Sequence, residues 1–211
     1  MPNISNRVAR SGARAALGFD DRPTLLFVGR IQPLKGLSIA VRALAELPMA
    51  DARLVVVGGP SGTDGPGEVD SVRALIAELG LEDRVHFVEP RPHHLLSTYY
   101  RAADVVLVPS RSESFGLVAL EAAACGVPVV AAAVGGLRTL VEDGVTGYLI
   151  DSRDPSDYAA RVDSLLSDPE RAAAMGAAAT RLANRFSWST TAGRLRRLYA
   201  DLRARTLVEC S

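Results

Sequence analysis

Lysine is almost missing from this chain. Of 24 basic residues only Lys35 is a lysine, and the other 23 are arginine. Cysteine is as scarce: Cys125 and Cys210 form no metal-ligand spacing and no disulfide framework, which fits a reducing compartment. The three histidines, His86, His93 and His94, have no cysteine or carboxylate neighbours at catalytic-metal spacing. Net charge is absent too, because 24 basic and 24 acidic residues cancel. No basic field recruits nucleic acid or an anionic membrane. There is no run of ~18 apolar residues, and the opening stretch MPNISNRVARSGARAALGF lacks the apolar centre of a leader peptide. A soluble, cytoplasmic chain without nucleic-acid or membrane partners is expected.

What is present is ordinary globular material. The 211 residues are 48% apolar and 23% charged, which fits one large domain or two small ones. A chain of this length buries roughly 70% of its unfolded surface and needs neither metal nor disulfide for stability. Short apolar, β-branched runs occur at 24–29 (TLLFVG), 53–58, 84–88, 104–109, 127–132 and 147–150. Continuous runs of this kind suit parallel strands covered on both faces. Helical patterns lie between them: Leu37, Val41, Leu44 and Leu47, closed by Pro48; Val69, Val72, Ile76 and Leu79, closed by Gly80; and Leu95, Leu96, Tyr99 and Ala103. The alternation predicts an α/β fold, a doubly wound parallel sheet of about six strands. After Asp151 only helices are expected: one from Pro155, one from Pro169 to about Arg185, and one carrying Thr191, Leu195, Leu198 and Leu202 beyond the break at 186–188. Residues 1–21 read as a linker with at most one helical turn near 13–17. Residues 22–205 read as one domain that includes the extra C-terminal helices, and 206–211 as a tail. The segment 58–67 (GGPSGTDGPG) reads as a flexible loop.

In open α/β sheets ligands bind beyond the carboxyl ends of the strands. The first strand ends in Gly29 and Arg30, and IQPLKG follows. Gly29 permits close approach of backbone to a ligand. Arg30 and Lys35 beside a helix start could cradle a diphosphate, or could be two solvated cations. The pattern is neither a P-loop nor G-x-G-x-x-G, and no acidic residue is placed to read an NAD ribose, so no dinucleotide cofactor is expected. The fourth strand runs into VPSRSESFGLVALE at 108–121. A helix starting near Phe115 or Gly116 would offer free first-turn amides to an anion or to hydroxyls. Glu113 lies at its mouth and Glu121 farther along, leaning back toward it. The pair could hold two polyol units of one ligand; equally, they could be a helix cap and a salt-bridge partner. The serines at 110, 112 and 114 lack a base nearby in sequence, which excludes a serine hydrolase. Trp188 reads as an anchor of the last helix, and Cys125 as a small buried apolar group.

The stretch ESFGLVALE at 113–121 resembles the E-x7-E motif of retaining, GT-B-fold glycosyltransferases that use nucleotide-sugar donors. VGR at 28–30, KG at 35–36, GG at 58–59, GVPVV at 126–130, VGGL at 134–137 and VEDGVTGYLI at 141–150 follow the same family's order. The resemblance covers 22–205. Within the family, VGRIQPLKG, VVVGGPSG, the long stretch 93–122 and FSW are similar to the inositol-phosphate glycosyltransferases of mycothiol biosynthesis.

This resemblance implies a role for each matching residue. Arg30 and Lys35 would hold the donor diphosphate and, with Glu113, form the catalytic set. Arg91 would lie beside the uracil and Glu121 at the ribose. Glu113 and the backbone of Ser114, Phe115, Gly116, Leu117 and Val118 would meet the donor sugar. Mg2+ would sit on backbone oxygens of Tyr100, Arg101, Ala103 and Val127, a chemically sensible use of orphan carbonyls. The implied donor is UDP-GlcNAc or another UDP-sugar, the acceptor an inositol phosphate, and the assembly a homodimer, with no organic cofactor. Related chemistries such as sucrose synthesis or mannosyl transfer remain open, as does a UDP-binding module without turnover. Enzymes of this fold have two similar domains, and the resemblance matches only the second; the acceptor-binding domain is expected to be missing.

Overall fold

The computed structural model describes residues 4–186 and 188–204. Six strands form one parallel sheet: β1 (Thr24–Val28), β2 (Arg53–Val57), β3 (Val85–Val88), β4 (Val105–Val108), β5 (Val129–Ala132) and β6 (Gly147–Ile150). Their spatial order is β3-β2-β1-β4-β5-β6. The chain therefore lays strands outward from β1 in one direction, then returns to the other side of β1 with β4 and continues. All six strands fall within the predicted apolar runs.

The continuous apolarity has a direct cause. Leu25 and Phe27 face one layer and Leu26 the other, and each is at most 2% exposed. One layer is made by α2 (Leu37–Ala45), α3 (Gly65–Glu78) and α7 (Pro155–Leu166). Opposite it pack α4 (His93–Ala102), α5 (Leu117–Ala124) and the short α6 (Leu137–Leu140). Helix α8 (Pro169–Ala183) sets Ala179 and Ala183 against Ala123 of α5, where small side chains permit close approach. Among the described residues no helix is long and apolar enough to cross a membrane.

Two expectations need correction. Residues 4–17 are not a linker with one turn but a 14-residue helix, α1 (Ile4–Leu17). Its sequence is polar on average but strongly amphipathic, and distant contacts hold it. Arg14 Nε donates to the Ala102 carbonyl at the end of α4 (3.0 Å), and its Nη2 meets Asp104 at 2.7 Å. Arg10 joins the same carboxylate, and the Thr24 amide donates to it at 2.8 Å. The supposed flexible loop 58–67 already begins α3 at Gly65. The last expected helix exists as α9 (Trp188–Ala204), with Leu195, Leu198, Tyr199 and Leu202 exposed. The Trp188 side chain, Ser187 and the tail 206–211 lie outside the described residues.

Candidate functional site

The order β3-β2-β1-β4-β5-β6 places a crevice at the carboxyl ends of β1 and β4, where consecutive crossovers leave in opposite directions. After β1 the chain passes Gly29 and Arg30, makes a 3-10 turn at Pro33–Lys35 and enters α2 through Gly36. Gly36 has φ 71°, and a Cβ there would lie 2.2 Å from the Pro109 carbonyl oxygen. Only glycine lets this turn press on the end of β4. The Arg111 amide donates to the Leu34 carbonyl at 2.7 Å, and Arg153 Nη1 donates to the Pro109 carbonyl at 2.8 Å. The second bond ties the segment after β6 to the end of β4, and the first joins the two loops.

Their joining brings Lys35 Nζ to 2.7 Å from Glu113 Oε2, with both side chains about one-fifth exposed (22% and 17%). The lone lysine thus pairs with the first glutamate of the 113–121 stretch. Helix α5 begins at Leu117 without a side-chain cap on Gly116, so its first-turn amides open toward the crevice. Behind them, Gly135 and Gly136 brace the loop. The Gly136 amide donates to the Glu113 carbonyl at 3.0 Å. A Cβ on Gly136 would stand 2.2 Å from the Phe115 carbonyl oxygen.

A cavity of about 390 Å³ lies here, lined by Gly29, Arg30, Lys35, Glu113 and residues 114–118. A second, of about 420 Å³, adjoins it along Val28–Arg30 and is lined by Gly58, Gly59 and Arg91. Arg30 belongs to both. The expected binding residues Gly29, Arg30, Lys35, Glu113, Ser114, Phe115, Gly116, Leu117 and Val118 therefore converge, with Arg91 in the adjoining cavity.

Glu121 lines neither cavity. Its Oε2 accepts from the Tyr100 hydroxyl at 2.7 Å, and its Oε1 from His93 Nε2 at 2.8 Å. Burial, reinforced by the Glu121 charge, pushes the Tyr100 phenol far up, so it keeps its proton and donates. Burial also raises the Cys125 thiol, against the opposing charge of Arg101. Neither His93 nor the Tyr100 hydroxyl was singled out from sequence. The signal existed: the two stand seven residues apart, two turns along one face of α4.

The chain matches the family described as Glycosyl transferases group 1 over residues 10–182. It belongs to that family. A Frankia alni relative, D-inositol 3-phosphate glycosyltransferase, is 53% identical over 209 residues, covering 94% of this chain and 51% of the relative. Sucrose-phosphate synthase from Thermosynechococcus elongatus superposes with TM-score 0.86 at 38% identity, over 93% of this chain and 49% of that one. Anabaena HepE, solved in complex with UDP-glucose, gives TM-score 0.84 at 30% identity, over 94% of this chain and 53% of HepE. The chain thus spans about half the length of the curated relatives it matches.

The residues expected at Mg2+ lie elsewhere. Tyr100, Ala103 and Val127 share the apolar layer of α4 and α5, and Arg101 is exposed. They sit where α4 ends and where the chain approaches β5, at the amino rim of the sheet. The Tyr100 carbonyl already accepts from the Ala103 amide at 3.1 Å. Among the described residues no group of three His, Cys, Asp or Glu could hold a metal.

Proposed function

We propose that this chain is the donor-binding half of a retaining hexosyltransferase, taking UDP-GlcNAc and serving transfer to 1D-myo-inositol 3-phosphate. The observation that carries the reading is the crevice at β1 and β4, where two cations, a carboxylate and an open helix start line one cavity. The donor is supported by HepE, whose structure holds UDP-glucose, and the acceptor by the name of the Frankia relative. A cytoplasmic setting agrees with the scarcity of cysteine.

In this reading Arg30 and Lys35 meet the diphosphate and stabilise charge that develops on the leaving phosphate. Glu113 and the amides at the start of α5 orient the sugar. Arg91 flanks the base, and Glu121 takes the ribose hydroxyls. Mg2+, if held by the carbonyls of Tyr100, Arg101, Ala103 and Val127, would cap the end of α4 and supply no Lewis acid to the diphosphate. The set contains no carboxylate to offset the dehydration of a hard cation.

Calorimetry with UDP and UMP tests the cradle. UDP is expected to bind at least about tenfold more tightly, since only UDP carries the second phosphate. Equal affinities would overturn the reading. The half-length match also favours binding without turnover by this chain alone. Steady release of UDP with glycosylated inositol phosphate from the purified chain would refute that narrower statement.

A further inference from the structure

On α4, Tyr100 and His93 face the same carboxylate with opposite characters. Tyr100 is 1% exposed, and its hydroxyl, on a ring locked between α4 and α5, donates to Glu121 Oε2 at 2.7 Å. His93 has a side chain 80% exposed and meets Oε1 at 2.8 Å. Glu121 itself is 24% exposed, so one side of the carboxylate is buried and the other reaches solvent. The first partner cannot leave without repacking the core. The second can swing into water at almost no cost in packing.

We infer that Tyr100 is the positioning residue that fixes Glu121 for the nucleotide ribose, and that His93 is a stand-in ligand which the ribose hydroxyls displace. The inference rests on the donor-site reading of Glu121. A carboxylate on a helix side chain can rotate about its final bonds, and a diol contact needs one defined plane. With Oε2 anchored by the buried phenol, Oε1, whose present partner is an exposed side chain, is the oxygen more open to the ribose. Its existing partner lies two residues beyond Arg91, which lines the second cavity. The imidazole itself lines neither cavity, and its exposed side chain leaves it free to swing away from Oε1. Tyr100 touches no substrate in this scheme and acts through Glu121. His93 lowers apparent affinity by competing for the oxygen the ligand needs.

The test is calorimetry with UDP and with 2′,3′-dideoxy-UDP, which keeps base and diphosphate but lacks both hydroxyls. The wild-type chain should prefer UDP by about tenfold, as expected for a charge-assisted hydrogen bond. Tyr100→Phe keeps the ring and removes only the donor. It should cut that preference to about threefold or less while leaving dideoxy-UDP affinity unchanged. His93→Ala should tighten UDP about two- to fivefold and leave dideoxy-UDP unaffected. In the Glu121→Gln background, Tyr100→Phe should add no further loss of preference. Thermal melts confirm that each variant is folded. Equal weakening of both ligands by Tyr100→Phe would mark a merely structural tyrosine and overturn the inference, as would an undiminished preference. If the wild-type chain shows no preference at all, the assignment of Glu121 to the ribose itself falls. UDP binding tighter than UMP would in that case still support the diphosphate cradle.

Discussion

Lys35 and Glu113 neutralise each other across the crevice, and this has a consequence for selectivity. A diphosphate that draws Lys35 away leaves Glu113 charged beside another anion, unless sugar hydroxyls arrive to satisfy it. Glu113→Gln removes the competing charge. UDP should then bind about threefold more tightly, whereas a UDP-sugar should bind more weakly than to wild type. Calorimetry with both ligands reads the two signs, and a weakened UDP would refute the competition. The importance of these two residues was legible in sequence, because one is the sole lysine and the other opens the 113–121 stretch. Their pairing was not, since 78 residues separate them and the contact depends on the Arg111 amide tying the loops. The partners of Glu121 were missed for a related reason. The seven-residue spacing of His93 and Tyr100 puts them on one face of α4, but nothing in it names a carboxylate on another helix as their shared target.

Among the elements, the loop 113–115 and the start of α6 are fitted to each other. Gly136 has an ordinary helical φ of −62°, so alanine would suffer no backbone strain there. The added methyl would nevertheless collide with the Phe115 carbonyl, and either α6 or the loop must shift. Gly136→Ala should lower stability by about 1–3 kcal/mol in urea unfolding, as overpacking does. Because the loop carries Glu113, UDP-sugar affinity should fall more than UDP affinity; an unchanged ratio would show that the loop does not move. The strands were legible because burial on both faces demands unbroken apolar runs. Helix α6, only four residues long, has no room for a periodic pattern and is set by tertiary contacts. Helix α1 does carry an amphipathic stripe, which its polar average composition masks.

At the scale of the molecule, the two rims of the sheet hold different things. The carboxyl rim holds the crevice. The amino rim holds Asp104, which gathers Arg10, Arg14 and the Thr24 amide, and so joins α1 to β1 and β4. Arg14→Ala would leave the Ala102 carbonyl without its donor and Asp104 with one cation. A loss of about 2 kcal/mol is expected in urea unfolding, with UDP affinity unchanged because the crevice lies at the other rim. A loss of affinity to match would show that the rims are coupled.

The strand order also bears on how the molecule comes into being. Strands β1 to β3 are completed within residues 24–88 and β4 to β6 within 105–150, and the two sets meet only where Leu25 and Leu26 pair with Val105 and Val106. The crevice lies along that seam. Neither set of strands contains a finished binding site, so during synthesis the pocket cannot exist until the second set has emerged and docked. A nucleotide that binds only the joined form stabilises it by mass action and does nothing for either half. Occupancy of the crevice therefore reports on the seam between the two sets, and a nucleotide held there adds to the stability of the joined sheet alone.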